Sequence, residues 1–223
     1  MLEATLNGYI DESELRTVLV SALPGVGKSR LRHEFLRRLS ERVDPEVAVF
    51  LGWADPMSSS TPYSVFASAL RRYFELDGLP AGEQQRTRLQ VAVRAVVPES
   101  EALRTTVLLG EVCGIHFPEN AHPSLAVVRS QPARRRELLS ETVAGLLRTL
   151  AGQKPVALVL EDLQWADSLS IDLCDTLRRS LEEQPVLLLL LGRPEFKEQH
   201  PQFAAGRLVE LQPHGLSKRA GAR

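Results

Sequence analysis

Residues 21–29 read Ser21-Ala22-Leu23-Pro24-Gly25-Val26-Gly27-Lys28-Ser29, and their neighbours decide what they mean. Before them lies Thr17-Val18-Leu19-Val20, a short β-branched and aliphatic run with the composition of a buried strand. After them, Leu31, Phe35, Leu36 and Leu39 recur at helical spacing among Arg and Glu. Strand, glycine-bearing turn, Gly-Lys-Ser and helix form the setting that a phosphate-binding loop needs. Gly25 and Gly27 free the backbone to turn tightly and aim successive N–H groups at one point. The helix N-terminus adds partial positive charge there. Lys28 is placed to meet the β- and γ-phosphates of a nucleotide, and Ser29 to offer a hydroxyl to Mg²⁺. One position departs from G-x-x-x-x-G-K-[ST]: Ala22 stands where the pattern has its first glycine.

Working outward, Val47 to Leu51 reads as a second buried strand, ending at Trp53. Helical spacing then predominates over Tyr63–Leu76, 84–96, 101–113 and Glu137–Ala151, with Phe117 to Pro132 as a loop. These helices form an insert at about 63–152. Pro155-Val156-Ala157-Leu158-Val159-Leu160-Glu161-Asp162 is an apolar strand closed by two acids, the form of a Walker B segment. Burying its aliphatics in a parallel sheet brings the acids to the carboxyl edge, where open α/β sheets bind ligands. One carboxylate then holds Mg²⁺ and the other orients water, with the assignment between Glu161 and Asp162 left open. The order is the reverse of the common Asp-then-Glu.

Asp167 or Ser168 is expected to cap the next helix, and a cap is the preferred role for Asp167. Trp165 is expected to pack beneath the site. Val186 to Leu191 is the fourth strand, and Arg193 directly after it is the candidate γ-phosphate sensor, with a plain surface arginine as the alternative. Arg207 to Leu211 alternates as an edge strand would. At the start, Leu2, Leu6 and Ile10 describe a short amphipathic helix over 1–15.

Composition narrows the classes. The 223 residues are 43% hydrophobic, enough for one core, and the net charge of −1 draws the chain to neither nucleic acid nor membrane. Cys113 and Cys174 stand alone, with no spacing that suits a metal. No leader pattern or membrane-length apolar run is present, so a cytoplasmic home is expected.

Three stretches together resemble the origin-recognition-like AAA ATPase domain of bacterial multidomain regulators of the STAND class. They are Ala-Leu-Pro-Gly-Val-Gly-Lys-Ser-Arg-Leu from Ala22, Leu-Val-Leu-Glu-Asp-Leu-Gln-Trp-Ala-Asp from Leu158, and Leu-Leu-Gly-Arg-Pro-Glu from Leu190. The resemblance runs from about Leu2 to Leu211, and it is with such regulators that serine/threonine kinase, adenylate cyclase or DNA-binding modules are often fused. It implies a P-loop NTPase fold: a five-stranded parallel sheet in the order 5-1-4-3-2, flanked by helices, with the helical insert between strands 2 and 3. It implies ATP and Mg²⁺ as cofactors, and a nucleotide switch with slow hydrolysis acting on other domains or subunits of a signalling assembly.

The implied nucleotide-binding residues are Pro24, Gly25, Val26, Gly27, Lys28, Ser29 and Arg30. The implied catalytic residues are Glu161, Asp162 and Arg193, and the metal ligands Ser29, Glu161 and Asp162. The expected layout is a core over 1–212, a disordered tail over 213–223, and no lid domain. Competing readings are a non-hydrolysing interaction module or fragment, and a small-molecule kinase using Arg134-Arg135-Arg136 over its phosphates.

Overall fold

A computed structural model describes residues 13–41, 45–201 and 208–213. The expected helix over 1–15 and the tail over 213–223 fall almost wholly outside these residues. Of the first, only 13–15 are described, and they form no helix: the Leu15 N–H donates to the Glu182 carbonyl at 2.9 Å.

Five strands build one parallel sheet: β1 (Arg16–Ser21), β2 (Ala48–Trp53), β3 (Val156–Glu161), β4 (Val186–Gly192) and β5 (Leu208–Leu211). Their order is β2-β3-β4-β1-β5, the expected one read from the other edge. All seven residues of β4 are buried, because it lies inside the sheet with both faces covered. This is why its sequence is an unbroken apolar run with no alternation.

The pleat divides the sheet's side chains between two cores. One face carries Val18, Val20, Ala157, Val159, Leu187, Leu189 and Leu191, packed against Phe35 and Leu39 of helix α1 (Lys28–Ser40). The other face carries Leu19, Phe50, Leu158, Leu160, Leu188 and Leu190. The helices between β2 and β3 contribute to this second core: α2 (Ser64–Tyr73), α3 (Glu83–Arg94), α4 (Glu99–Cys113), α5 (Pro123–Ser130) and α6 (Pro132–Ala151). So do α7 (Ser168–Ser180) and Phe196 of α8 (Pro194–Gln199). Among the described residues, no helix is long and apolar enough to cross a membrane.

Two helix boundaries correct the sequence reading. Residues 117–132 are not simply a loop, since α5 runs through them, and α6 starts five residues before Glu137, at Pro132. Both helices carry proline in their first turn, where its missing N–H costs nothing and its fixed φ fits. The prolines start these helices rather than break them.

Helix α2 lies directly on β2, and Gly52 makes this approach possible. A Cβ at Gly52 would sit 2.4 Å from the Val65 carbonyl oxygen and 3.0 Å from the Ala69 Cβ. Both are fixed parts of the helix, so neither can swing aside. Gly52→Ala should therefore cost about 1–3 kcal/mol, the usual range for an overpacked core. Urea unfolding followed by circular dichroism checks this, and an unchanged midpoint would mean that the contact is looser than described.

Candidate functional site

The strand order creates the crevice. From β1 the chain passes to α1 on one face of the sheet, whereas from the adjacent β4 it passes to α8, whose Phe196 is buried on the other. Two neighbouring strands whose continuations part in this way leave a gap at their carboxyl ends, the place where open α/β sheets hold ligands. The Ala22 N–H still donates to the Gly192 carbonyl at 3.3 Å, so the gap opens immediately beyond this bond.

Residues 22–27 cross the gap as a loop. Gly25 has φ 80° and Gly27 φ 103°, both in the region that side-chain-bearing residues avoid. Space is not the reason for glycine, since a Cβ at either position would meet nothing within 4 Å. The requirement is conformational. Gly27 is also the N-cap of α1 and brings no side chain to satisfy the helix's first N–H groups. Gly27, Lys28 and Ser29 line the cavity described below, so the helix's positive end lies beside it, where an anion suits it.

Lys28 stands in the first turn of α1 and folds back over the loop. Its ammonium donates to the carbonyls of Ala22 at 2.5 Å and Leu23 at 3.2 Å. Partial burial pushes its pKa below the ordinary lysine value, and nearby Arg193 pushes the same way, against the carboxylates of Asp162 and Glu195.

A cavity of about 340 Å³ is lined by Pro24, Gly25, Gly27, Lys28, Ser29, Asp162 and Arg193. Three distant parts of the sequence thus converge on one space. The two acids after β3 part company here. Glu161 is the last strand residue, 9% exposed, and its Oε1 accepts from Nη1 of Arg32 at 2.6 Å. Asp162 adopts a left-handed conformation with φ 55°, which turns the chain and sets its carboxylate on the cavity wall. Aspartate tolerates this conformation better than most residues.

Arg193 is the last residue before α8. Its main-chain N–H donates to Oε1 of Gln164 at 3.2 Å, and its guanidinium carbon lies 5.7 Å from the centre of a Trp165 ring, within cation–π range. Trp165 is 38% exposed. It lies beneath one wall of the site, under Arg193, without joining the core: the short 3₁₀ turn Leu163–Trp165 buries Leu163 and leaves the indole partly exposed.

Of the residues picked out in the sequence, seven line this cavity together. Val26 does not: it faces a second cavity of about 460 Å³ with Ala22, Leu23 and residues of α8 and the end of β5. Its N–H points at the Leu23 carbonyl, 3.5 Å away. Arg30 is exposed and lines neither space. Glu161 is likewise absent from the cavity lining.

Two residues with evident roles escaped the sequence reading. Arg32 stands four positions after Lys28 on α1, so it shares Lys28's side of the helix one turn further on. That spacing could have pointed to it. Gln164 gave no sign of its own role, because one of its partners, the main chain of Arg193, is 29 residues away, beyond the end of β4.

The donor set suits Mg²⁺. A serine hydroxyl and one carboxylate face a single cavity, and Mg²⁺ prefers a few protein oxygens completed by phosphate and water. Among the described residues there is no cluster of three or more His, Cys, Asp or Glu that would form an all-protein cage. Cys113 and Cys174 are buried free thiols whose pKa values burial pushes up, Cys113 to about 12, so neither is a nucleophile. Two of the three arginines at the start of α6 face acids outside the cavity: Arg134 pairs with Glu137 at 2.5 Å, and Arg136 lies 3.6 Å from Asp172.

A family model described as an AAA ATPase domain matches residues 1–190, most of the chain. No curated protein matches it.

Proposed function

We propose, since the chain belongs to the AAA ATPase domain family, that it binds Mg-ATP and works as a nucleotide switch with slow hydrolysis. The observation that carries this reading is the convergence of Gly25, Gly27, Lys28 and Ser29 with Asp162 and Arg193 on one cavity. Each has a distinct task. The loop N–H groups and the α1 terminus receive the phosphates. Lys28 leaves the Ala22 and Leu23 carbonyls and turns to the β- and γ-phosphate oxygens. Ser29 and Asp162 would hold Mg²⁺, which when bound neutralises charge developing between the phosphates. Arg193, entering from β4, contacts the γ-phosphate and senses its loss.

Slow turnover follows from the acids. Orienting water and holding the metal are separate tasks, and two carboxylates can divide them. Here Glu161 is held by Arg32, so among the described residues Asp162 is the one acid lining the cavity. A site with one carboxylate in place favours retention of ATP over its cleavage. In the origin-recognition-like, STAND-type regulators that the sequence resembles, long-lived ATP suits a signalling role, with the bound state read by other domains or subunits. The small-molecule kinase reading is not favoured, since Arg134 and Arg136 are turned to their own partners.

Calorimetric titration of the purified chain with Mg-ATP and Mg-ADP tests the proposal. Saturable binding at one site, weakened when Mg²⁺ is chelated, is expected. Absence of binding by both nucleotides would overturn it and favour an interaction module.

A further inference from the structure

Gln164 sits where the turn after β3 meets the end of β4, and both polar ends of its amide are engaged. Nε2 donates to Asp162 Oδ1 at 3.2 Å, and Oε1 accepts from the Arg193 main-chain N–H at 3.2 Å. The orientation is chemically forced. A carboxylate can only accept and a main-chain N–H can only donate. A flipped amide would set acceptor against acceptor and donor against donor, so one orientation alone satisfies both neighbours.

The next residue completes the arrangement. Gln164 holds the main chain of Arg193, and Trp165 lies beneath its guanidinium. One short 3₁₀ turn, Leu163–Trp165, therefore fixes Arg193 at two points and Asp162 at a third. Asp162 needs such support. It is exposed, and its left-handed backbone is a conformation that surrounding contacts must maintain.

We propose that Gln164 is a positioning residue: it fixes the Asp162 carboxylate relative to Arg193, so that the metal-holding acid and the phosphate sensor keep one spacing across the cavity. The inference rests on the Mg-ATP reading for its catalytic consequence and on the two hydrogen bonds for its geometry. Outer-shell partners of this kind are commonly worth about 10–100-fold in activity.

The test separates these two parts. The chain has two tryptophans, Trp53 and Trp165, so in a Trp53→Phe background Trp165 alone emits. Gln164→Glu keeps the size of the side chain and its acceptor for Arg193, but turns the donor facing Asp162 into a second acceptor. The turn should open and the Trp165 emission maximum should shift. Adding Asp162→Asn restores a donor–acceptor pair with the roles exchanged and returns the wild-type net charge, so emission should return as well. A space-filling role would predict neither change, because glutamine and glutamate have nearly the same shape.

In ATP turnover, Gln164→Glu should lower kcat roughly tenfold or more with KM little changed. The exchanged pair should leave kcat low, since the Asp162 carboxylate is then gone. Emission that ignores Gln164→Glu, or that shifts without recovering in the pair, would overturn the proposal. A wild-type chain that binds no nucleotide would instead overturn the Mg-ATP reading, and the emission experiment would still decide the role of Gln164.

Discussion

Lys28→Ala should weaken Mg-ATP binding by roughly 2–4 kcal/mol, about 30- to 1000-fold, the range for removing one partner of a desolvated charge pair. The argument starts from where the ammonium now sits. It bonds the Ala22 and Leu23 carbonyls, both in the loop that closes over the cavity. Those carbonyls are a makeshift partner: neutral acceptors facing a cation whose charged form burial already disfavours. A polyphosphate offers full negative charge in the same space, and the lysine gains by turning to it. The folded state should lose a modest amount from the substitution. Leu23 is 58% exposed, so water can take over at its carbonyl, but Ala22 is buried and its carbonyl loses the shorter bond, so a change in stability of about 1–3 kcal/mol is expected. Calorimetry on the variant, with a urea melt to confirm folding, checks both halves. A dissociation constant within threefold of wild type would mean that the phosphates do not lie against this loop.

What the sequence made legible follows from the range of the interactions involved. The loop at 21–29 was readable because its chemistry is local: glycine conformations, a lysine and a serine on adjacent positions, and a strand and helix on either side. The sheet order came from a resemblance, and no periodicity could have supplied it. The acids after β3 were readable as a pair but not as individuals. Their separation depends on Arg32 reaching across from α1 to Glu161, and on one positive φ at Asp162. Trp165 illustrates the converse, since its place beside the acids puts it under the site, but its partial exposure depends on the backbone turn that carries it. Helix α5 is only eight residues long, too short to show a clear period within 117–132, and its Pro123 sits in the first turn, where proline starts a helix.

Asp167 shows how far a correct local reading can fall short. It does cap α7, accepting from the Ser170 N–H at 2.9 Å, as its place before Ser168 predicts. Yet the same carboxylate also accepts from the Tyr63 and Ser64 N–H groups at 2.9 Å and from the Ser64 and Ser170 hydroxyls at 3.1 and 2.6 Å. It is 6% exposed and ties the start of α2 to the start of α7 across more than a hundred residues of sequence. Tyr63 is held there at φ 60°, a conformation an aromatic residue adopts only under constraint.

Asp167→Ala should therefore be the most damaging of the substitutions considered. It leaves the Tyr63 and Ser170 N–H groups without this acceptor and releases the Tyr63 backbone. A buried donor left unpaired costs about 1–3 kcal/mol, so a total of roughly 3–5 kcal/mol is expected. For a chain of this size that lowers Tm by about 6–20 °C. Asp167→Asn should be milder. Its amide oxygen can still accept from Tyr63 and Ser170, and the serine hydroxyls can rotate to receive the new N–H₂ group. Only the Ser64 N–H then faces a donor, and it retains the Thr61 carbonyl at 3.3 Å.

The consequence extends to the cavity, because Asp167 lies two residues after Trp165 and anchors the far end of the turn that carries Asp162 and Gln164. Urea unfolding of the two variants should rank Ala well below Asn. Equal and small losses, under about 1 kcal/mol each, would mean that water reaches this joint and that the turn bearing the acid is anchored elsewhere.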